Sequence, residues 1–170
     1  MTAVLQPFQW SRAVSAIEKV TERRARTSAI LSAAGIPYAV IGGNAVQAWV
    51  SRVDEAAIRF TRDVDILLRR KDLPRAIEAE GFIFRHARGI DMFLDVPGSK
   101  ARDAVRVLIA NEPVSPDDPV PSPDPDDSVE TETFRALDPE KLVQMKLVVW
   151  RDKDRTHRRD FIDVEIIAES

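Results

Sequence analysis

Short apolar runs alternate with longer amphipathic segments along this 170-residue chain. The runs Tyr38–Ile41 and Val64–Leu68 are short and largely apolar, which predicts two strands. Apolar residues at helical spacing predict a helix from about Trp10 to Ala34, and Gly35 would end it. The chain therefore begins as a helix followed by strands of a covered sheet.

The remaining chain predicts a similar alternation of helices and strands. The predicted elements are a helix opening at Gly42-Gly43-Asn44, a helix between Asp72 and Gly81, strands at 82–85 and 90–94, a helix at 100–110, a strand at about 131–137, a helix from Asp138 to about Arg151, and a last amphipathic helix carrying Phe161, Val164 and Ile167. This alternation favours an α/β or α+β sheet with helical cover. The length suits one domain over 1–170, with a C-terminal helical part at about 138–170.

One segment has a different composition. Six of the eleven prolines lie between Pro113 and Pro125, and the stretch from Glu112 to Glu132 holds eight acidic residues and no Lys or Arg. Proline removes backbone donors and like charges repel, so we predict a loop at about 111–129. An EF-hand is excluded because 124–127 lacks the central Gly and the closing Glu. The rest of the chain is mildly basic, which suits a polyphosphate or nucleic-acid ligand.

Composition removes several classes of site. There is no cysteine, so disulfides, thiolate metal sites and a nucleophilic cysteine are excluded, and His86 and His157 are too few for a structural zinc site. The first ten residues lack the basic and apolar regions of a signal peptide. No apolar run approaches the roughly 20 residues of a membrane span. We therefore expect a cytoplasmic protein with no membrane association.

The segment Thr61-Arg62-Asp63-Val64-Asp65 carries the strongest chemical signal. Side chains alternate between the faces of a strand, so Asp63 and Asp65 share one face, about 7 Å apart along the backbone. Two such carboxylates repel each other unless a cation lies between them, and Mg²⁺ commonly takes one or two carboxylates together with substrate phosphates. The alternative, an edge strand with two solvated aspartates, stays open from this segment alone.

Three further features extend the candidate site. The glycine pair Gly42-Gly43 lies between a strand and a helix, where close backbone approach and free N–H groups suit phosphates. A third acid would complete the site, and Asp91 is preferred to Asp95 because it lies inside an apolar run. Lys146 is the only charge from Leu142 to Trp150, so it either reaches the surface or faces a polar cavity.

Together these motifs resemble the nucleotidyltransferase (DNA polymerase β-like) superfamily, in particular its AbiEii/AbiGii toxin-like branch. The residues that carry the resemblance are Gly42-Gly43, Thr61-Arg62-Asp63-Val64-Asp65, a strand acid and Met145-Lys146-Leu147. The resemblance implies a nucleotidyltransferase fold, with a small mixed β-sheet flanked by helices. It also implies transfer of a nucleoside monophosphate from a nucleoside triphosphate, with release of pyrophosphate.

Carried over to this sequence, the resemblance implies a two-ion Mg²⁺ site in which Mn²⁺ can substitute. Asp63, Asp65 and Asp91 would be the metal ligands and catalytic residues, while Gly42, Gly43, Asn44, Arg62 and Lys146 would bind the substrate. The acceptor stays open between an RNA end such as a tRNA 3′ terminus, a small molecule and a protein hydroxyl. An antitoxin protein is a further expected partner.

Two rival functions stay open at this point. The first is a nucleotidyltransferase-fold module that has lost catalysis and acts by binding a nucleotide or a protein partner. The second is a metal-dependent glycosyltransferase, which also uses an Asp-x-Asp motif. The glycine turn and the short chain disfavour this second rival.

Overall fold

The computed structural model describes residues 10–79, 81–87, 89–94, 99–100 and 103–151. The helices and strands within these ranges are α1 (Trp10–Ala33), β1 (Tyr38–Ile41), α2 (Gly42–Val50), β2 (Val64–Leu68), α3 (Leu73–Glu78), β3 (Ile83–Ala87), β4 (Ile90–Leu94), β5 (Val105–Ile109), β6 (Ser128–Glu130), β7 (Arg135–Leu137) and α4 (Pro139–Arg151). The strands of the described chain form one mixed sheet in the order β3-β4-β5-β2-β1-β7-β6.

The two apolar strands β1 and β2 lie near the centre of this sheet. They pair antiparallel with each other, while β1 also pairs parallel with β7 and β2 pairs parallel with β5. Every residue of both strands is buried. The helices provide the cover, because α1 packs against β2 and β5, α2 packs against β1 and β2, and α4 packs against α2. Nearly continuous apolar sequence is what a strand covered on both faces requires.

The predicted mixed sheet flanked by helices is confirmed, but one predicted element is wrong. The segment 100–110 was expected to form a helix, and the structure has β5 there instead. Val105 and Val107 are buried while Arg106 between them is exposed, which is the two-residue period of a strand. Over so few residues an apolar run fits a helix or a strand equally well. The consequence is that Arg106 lies on the strand next to β2.

The acidic Pro-rich segment is tied to the end of β2 by two arginines. Arg69 Nε donates to Asp124 Oδ2 at 3.0 Å, and Arg70 Nε donates to Glu112 Oε1 at 2.5 Å. The bond from Arg69 holds the pKa of the Asp124 carboxyl well below its ordinary value. The segment leads into β6, which begins at Ser128.

The remaining differences concern the ends of elements. The strand predicted at about 131–137 is only β7, and a turn connects it to β6. Asp72 is buried and its side chain makes no capping hydrogen bond to α3, which is shorter than predicted. The last amphipathic helix, with Phe161, Val164 and Ile167, lies outside the described residues. No helix in the described ranges combines the length and apolar content needed to cross a membrane.

Candidate active site

A cavity of about 330 Å³ opens where β1 ends and β2 begins. Its lining includes Gly42, Gly43, Asp63, Asp65, Arg106 and Lys146, and we call it the glycine-turn cavity. The antiparallel pairing of β1 with β2 sets Ile41 opposite Asp65, which brings the start of α2 beside the aspartates. The volume lies at the small end of the roughly 300–1,000 Å³ range of ligand sites.

Both glycines are needed for the close approach of α2 to β2. Gly42 has φ +65°, and a Cβ added there would lie 2.4 Å from Oδ2 of Asp65. A Cβ on Gly43 would lie 2.8 Å from the side chain of Thr61. The residue before α2, Ile41, makes no side-chain cap, so the first backbone N–H groups of the helix are left to other partners. The turn therefore presents backbone donors next to a carboxylate.

The two aspartates occupy different environments although they are only two residues apart. Asp65 is 8% exposed and lies within β2, whereas Asp63 is exposed and precedes the strand. Arg106 Nε donates to Asp65 Oδ1 at 2.6 Å. That hydrogen bond raises the pKa of Arg106 above its ordinary value, against the opposing effect of partial burial. One carboxylate is thus held by a guanidinium, and the other faces solvent.

Asn44 supports the segment that carries Asp63. Its side chain is 1% exposed, and Nδ2 donates to the backbone oxygen of Asp63 at 2.7 Å. Its Oδ1 accepts from Arg24 Nη1 at 3.1 Å, and the Arg24 guanidinium lies 4.3 Å from the centre of the Phe134 ring. Burial lowers the pKa of Arg24. The side-chain oxygen and nitrogen of Asn44 both form hydrogen bonds with protein groups. The side chain is therefore directed away from the phosphate-binding role expected of it.

The structure does not bring Asp91 together with the aspartate pair. Arg106 pairs with Asp65 on one side and with Met92 on the other, so these three side chains share a face, while Asp91 pairs with Val107 on the opposite face. Asp91 Oδ1 lies 2.6 Å from His86 Nδ1, in another cavity of about 620 Å³ that has Arg106 in common with the glycine-turn cavity. Among the described residues no three Asp, Glu or His side chains converge as a metal site.

The other predicted substrate-binding residues divide between two cavities. Lys146 lines the glycine-turn cavity, on the half-buried side of α4. Arg62 is exposed and lines a neighbouring cavity along α1. Asp95, the alternative third acid, lies outside the described residues.

Arg106 and Arg24 contribute to the site and were not identified from sequence. The signal for Arg106 was the Val-Arg-Val alternation, which the helical interpretation of 100–110 concealed. Arg24 belongs to the predicted α1, and no local pattern shows that it reaches Asn44, twenty residues away. Both contacts depend on the tertiary arrangement.

Three solved structures have a similar fold. The solution structure of the antibiotic-resistance factor ANT(2″)-Ia matches with a TM-score of 0.53 at 13% identity, over 95% of this chain and 85% of that one. ANT(2″)-Ia in complex with adenylyl-2″-tobramycin matches with a TM-score of 0.55 at 12% identity, over 89% and 88% of the two chains. An antigenic nucleotidyltransferase-like protein from Paracoccidioides brasiliensis matches with a TM-score of 0.54 at 14% identity, over 88% and 75%.

The sequence also matches a family model. No match was found among curated proteins. The model of the nucleotidyl transferase AbiEii toxin of type IV toxin–antitoxin systems matches residues 27–170, which is most of the chain and includes every residue of the glycine-turn cavity. The chain therefore belongs to the AbiEii nucleotidyl transferase toxin family.

Proposed function

We propose that this chain is a Mg²⁺-dependent nucleotidyltransferase that moves a nucleoside monophosphate from a nucleoside triphosphate to an acceptor hydroxyl. The observation that carries the proposal is the convergence of the glycine turn, Asp63, Asp65 and Lys146 on one cavity. Carboxylates, backbone donors and a lysine together are what a metal-bound polyphosphate requires. Membership of a nucleotidyl transferase family supports the same activity.

The aspartate pair fits a divalent ion. Both side chains offer the hard oxygen ligands that Mg²⁺ and Mn²⁺ prefer, and Mg²⁺ is commonly held by one or two carboxylates plus substrate phosphates. The missing Cβ of Gly42 leaves room beside Oδ2 of Asp65, while Oδ1 is bonded to Arg106. When bound, Mg²⁺ would supply charge neutralisation for the phosphates and activation of the acceptor oxygen.

The chain itself positions the nucleotide. The N–H groups at the start of α2 face phosphate oxygens, aided by the positive end of the helix dipole. Lys146, which lines the same cavity, provides charge for the β- and γ-phosphates. Arg106 keeps Asp65 in one orientation, and Asn44 fixes the backbone at Asp63. Preorganised groups of this kind lower the barrier without forming a covalent intermediate.

The transfer is a nucleophilic displacement at the α-phosphorus. The acceptor hydroxyl oxygen forms a bond to the α-phosphorus, and the bond from that phosphorus to the oxygen bridging to the β-phosphate breaks. Pyrophosphate leaves with the electron pair of that bond. The proton of the acceptor hydroxyl passes to solvent.

A second candidate is a module that binds the nucleotide or an antitoxin without turnover. The observation in its favour is that the described chain brings two carboxylates together, with Arg106 paired to one of them, where a third acid was expected. The family assignment favours an antitoxin as partner under either function. Catalytic turnover distinguishes the transferase from the non-catalytic module.

The test is label transfer from each α-³²P-labelled nucleoside triphosphate, with Mg²⁺, to RNA, to a small-molecule hydroxyl and to protein. Asp63→Asn removes one carboxylate charge at the site, and Glu78→Gln, on the exposed surface of α3, makes the same change elsewhere. We expect labelled product with the wild type and Glu78→Gln and at least a hundredfold less with Asp63→Asn. Tight nucleotide binding without labelled product on any acceptor would support the non-catalytic module.

A further inference from the structure

The acidic Pro-rich segment, which the proposed transfer does not use, lines an apolar groove together with α4. The groove has a volume of about 530 Å³, and we call it the α4 groove. The segment contributes Val114, Val120 and three prolines of 119–123, and α4 contributes four residues between Gln144 and Val148. The volume lies within the range of ligand sites, and the lining is mostly apolar.

The loop that lines the groove is fixed to the end of β5. Ser122 is 5% exposed, and its Oγ donates to the backbone oxygen of Ile109 at 2.6 Å. The backbone N–H of Ser122 donates to the backbone oxygen of Glu112 at 2.9 Å, and the N–H of Asn111 donates to the backbone oxygen of Ser122 at 3.1 Å. The apolar side chains of the loop are therefore held in place without a partner being needed.

Several apolar side chains of the groove are nevertheless exposed. Val114 is 54% exposed, Val120 49% and Leu147 42%. A single exposed apolar residue is ordinary, but these three line one groove. Because apolar surface gains free energy when it leaves water, a contiguous patch of this kind marks a docking surface.

The chain that follows α4 reaches this groove. The groove residues of α4 lie three to seven residues before its end at Arg151, which is about 5–11 Å along the helix axis. The chain from Arg151 to Phe161 spans up to about 33 Å when it is extended. It is therefore long enough to turn back over the last turns of α4. Residues 152–170 lie outside the described ranges.

The composition of this C-terminal segment matches the groove. Residues 151–159 include five Lys or Arg and two Asp, whereas 112–132 holds eight acidic residues and no Lys or Arg. Asp118 lines the groove, and the neighbouring Asp117 is exposed. Charges of opposite sign on two surfaces favour their association. Beyond the basic run, five of the seven residues at 161–167 are apolar: Phe161, Ile162, Val164, Ile166 and Ile167.

We propose that the α4 groove is the docking site of this chain's own segment 152–170. The apolar residues of 161–167 occupy the groove, and the basic run of 151–159 lies beside Asp117 and Asp118. The contact is intramolecular, so one molecule closes its own groove. The proposal goes beyond the nucleotidyl transfer and does not depend on it.

The test is disulfide formation between introduced cysteines, because the chain has no cysteine of its own. Val120→Cys is combined in the full chain with Phe161→Cys, Val164→Cys or Ile167→Cys, and each protein is oxidised at low concentration. A disulfide forms only when the two Cα atoms come within about 7 Å. Non-reducing electrophoresis then measures the rate of intramolecular closure for each pair.

The matched control replaces Val120→Cys by Glu18→Cys, on the exposed surface of α1 and outside the lining of the groove. We expect at least one groove pair to close at least tenfold faster than its control. Adding Phe161→Asp to the Val120→Cys/Val164→Cys protein should slow closure at least fivefold, whereas Phe161→Leu should change it less than twofold. Thermal unfolding of the reduced proteins checks that each variant is folded.

Two results would overturn the proposal. Equal closure rates for all groove pairs and their α1 controls would show that the segment does not dock there. Covalent dimers in place of the intramolecular product would assign the groove to the segment of a second copy of the chain. Neither result bears on label transfer from a nucleoside triphosphate, which tests the proposed function separately.

Discussion

Asn44 offers the most direct test of how the site is held in place. Asn44→Ala removes two hydrogen bonds, leaving the backbone oxygen of Asp63 and Nη1 of Arg24 without that partner. The environment of Arg24 is already poor in partners, because its Nε is buried and makes no hydrogen bond within the described part of the chain.

The expected cost follows from these contacts. A buried group left unsatisfied costs about 1–3 kcal/mol, and bonds to charged groups lie toward the upper end. Together they predict a loss of about 3 kcal/mol in the free energy of unfolding. For a chain of this size that loss lowers Tm by about 6–12 °C. Gln47→Ala lies one turn further along α2 and should cause no comparable loss of stability. Its free energy of unfolding should stay within about 0.5 kcal/mol of the wild type.

Asn44→Asp separates the two bonds. The carboxylate still accepts from Arg24, with added charge, but it has no donor for the backbone oxygen of Asp63. We therefore expect a smaller loss of stability than in Asn44→Ala, together with weaker binding of a Mn²⁺–nucleotide complex. Urea unfolding measures the first effect, and electron paramagnetic resonance of free Mn²⁺ measures the second. An Asn44→Ala protein as stable as Gln47→Ala would refute the reasoning.

Three further changes test neighbouring features. Gly42→Ala should lose more stability than Gly35→Ala in thermal unfolding, because both have positive φ but only the first meets Oδ2 of Asp65; equal losses would show that the clash is relieved. Arg106→Gln should lower Tm by a few degrees without metal, since Asp65 loses its cation. Added Mn²⁺ should then raise the Tm of this variant more than that of the wild type. The Asp124→Asn protein should be less stable than the wild type at pH 7. Its free energy of unfolding, measured by urea titration, should fall less than that of the wild type between about pH 5 and pH 3. The lowered pKa of Asp124 means that its contribution is present at neutral pH and disappears as pH falls below the usual carboxyl range; parallel pH profiles would contradict this.

The centre of the fold could be predicted because its information is local. β1 and β2 appear as short apolar runs, and the glycine pair between a strand and a helix predicts a close turn from sequence alone. Asp65 adds a carboxylate to a strand that is otherwise apolar and fully buried. A charged group in such a run costs free energy unless it is paired, so the sequence itself marks it as a residue with a partner.

The pairing between strands could not be predicted in the same way. Asp91 and Met92 are adjacent in sequence, and a shift of one residue in the register of β4 on β5 decides which of them shares a face with Asp65. The sequence has no local signal for that register. The same holds for Arg106, whose strand was taken for a helix, and for the contact of Arg24 with Asn44.

The different environments of the two aspartates imply different contributions to the proposed transfer. Asp65 is buried and fixed by Arg106 and by the close approach of Gly42, so its position is set before any substrate binds. Asp63 is exposed, its backbone is bonded to Asn44 and Thr61, and it lines both the glycine-turn cavity and the neighbouring cavity along α1. The sequence motif presents the two residues as equivalents, whereas in the structure Asp65 is fixed in the wall of the glycine-turn cavity and Asp63 lies where that cavity meets its neighbour along α1.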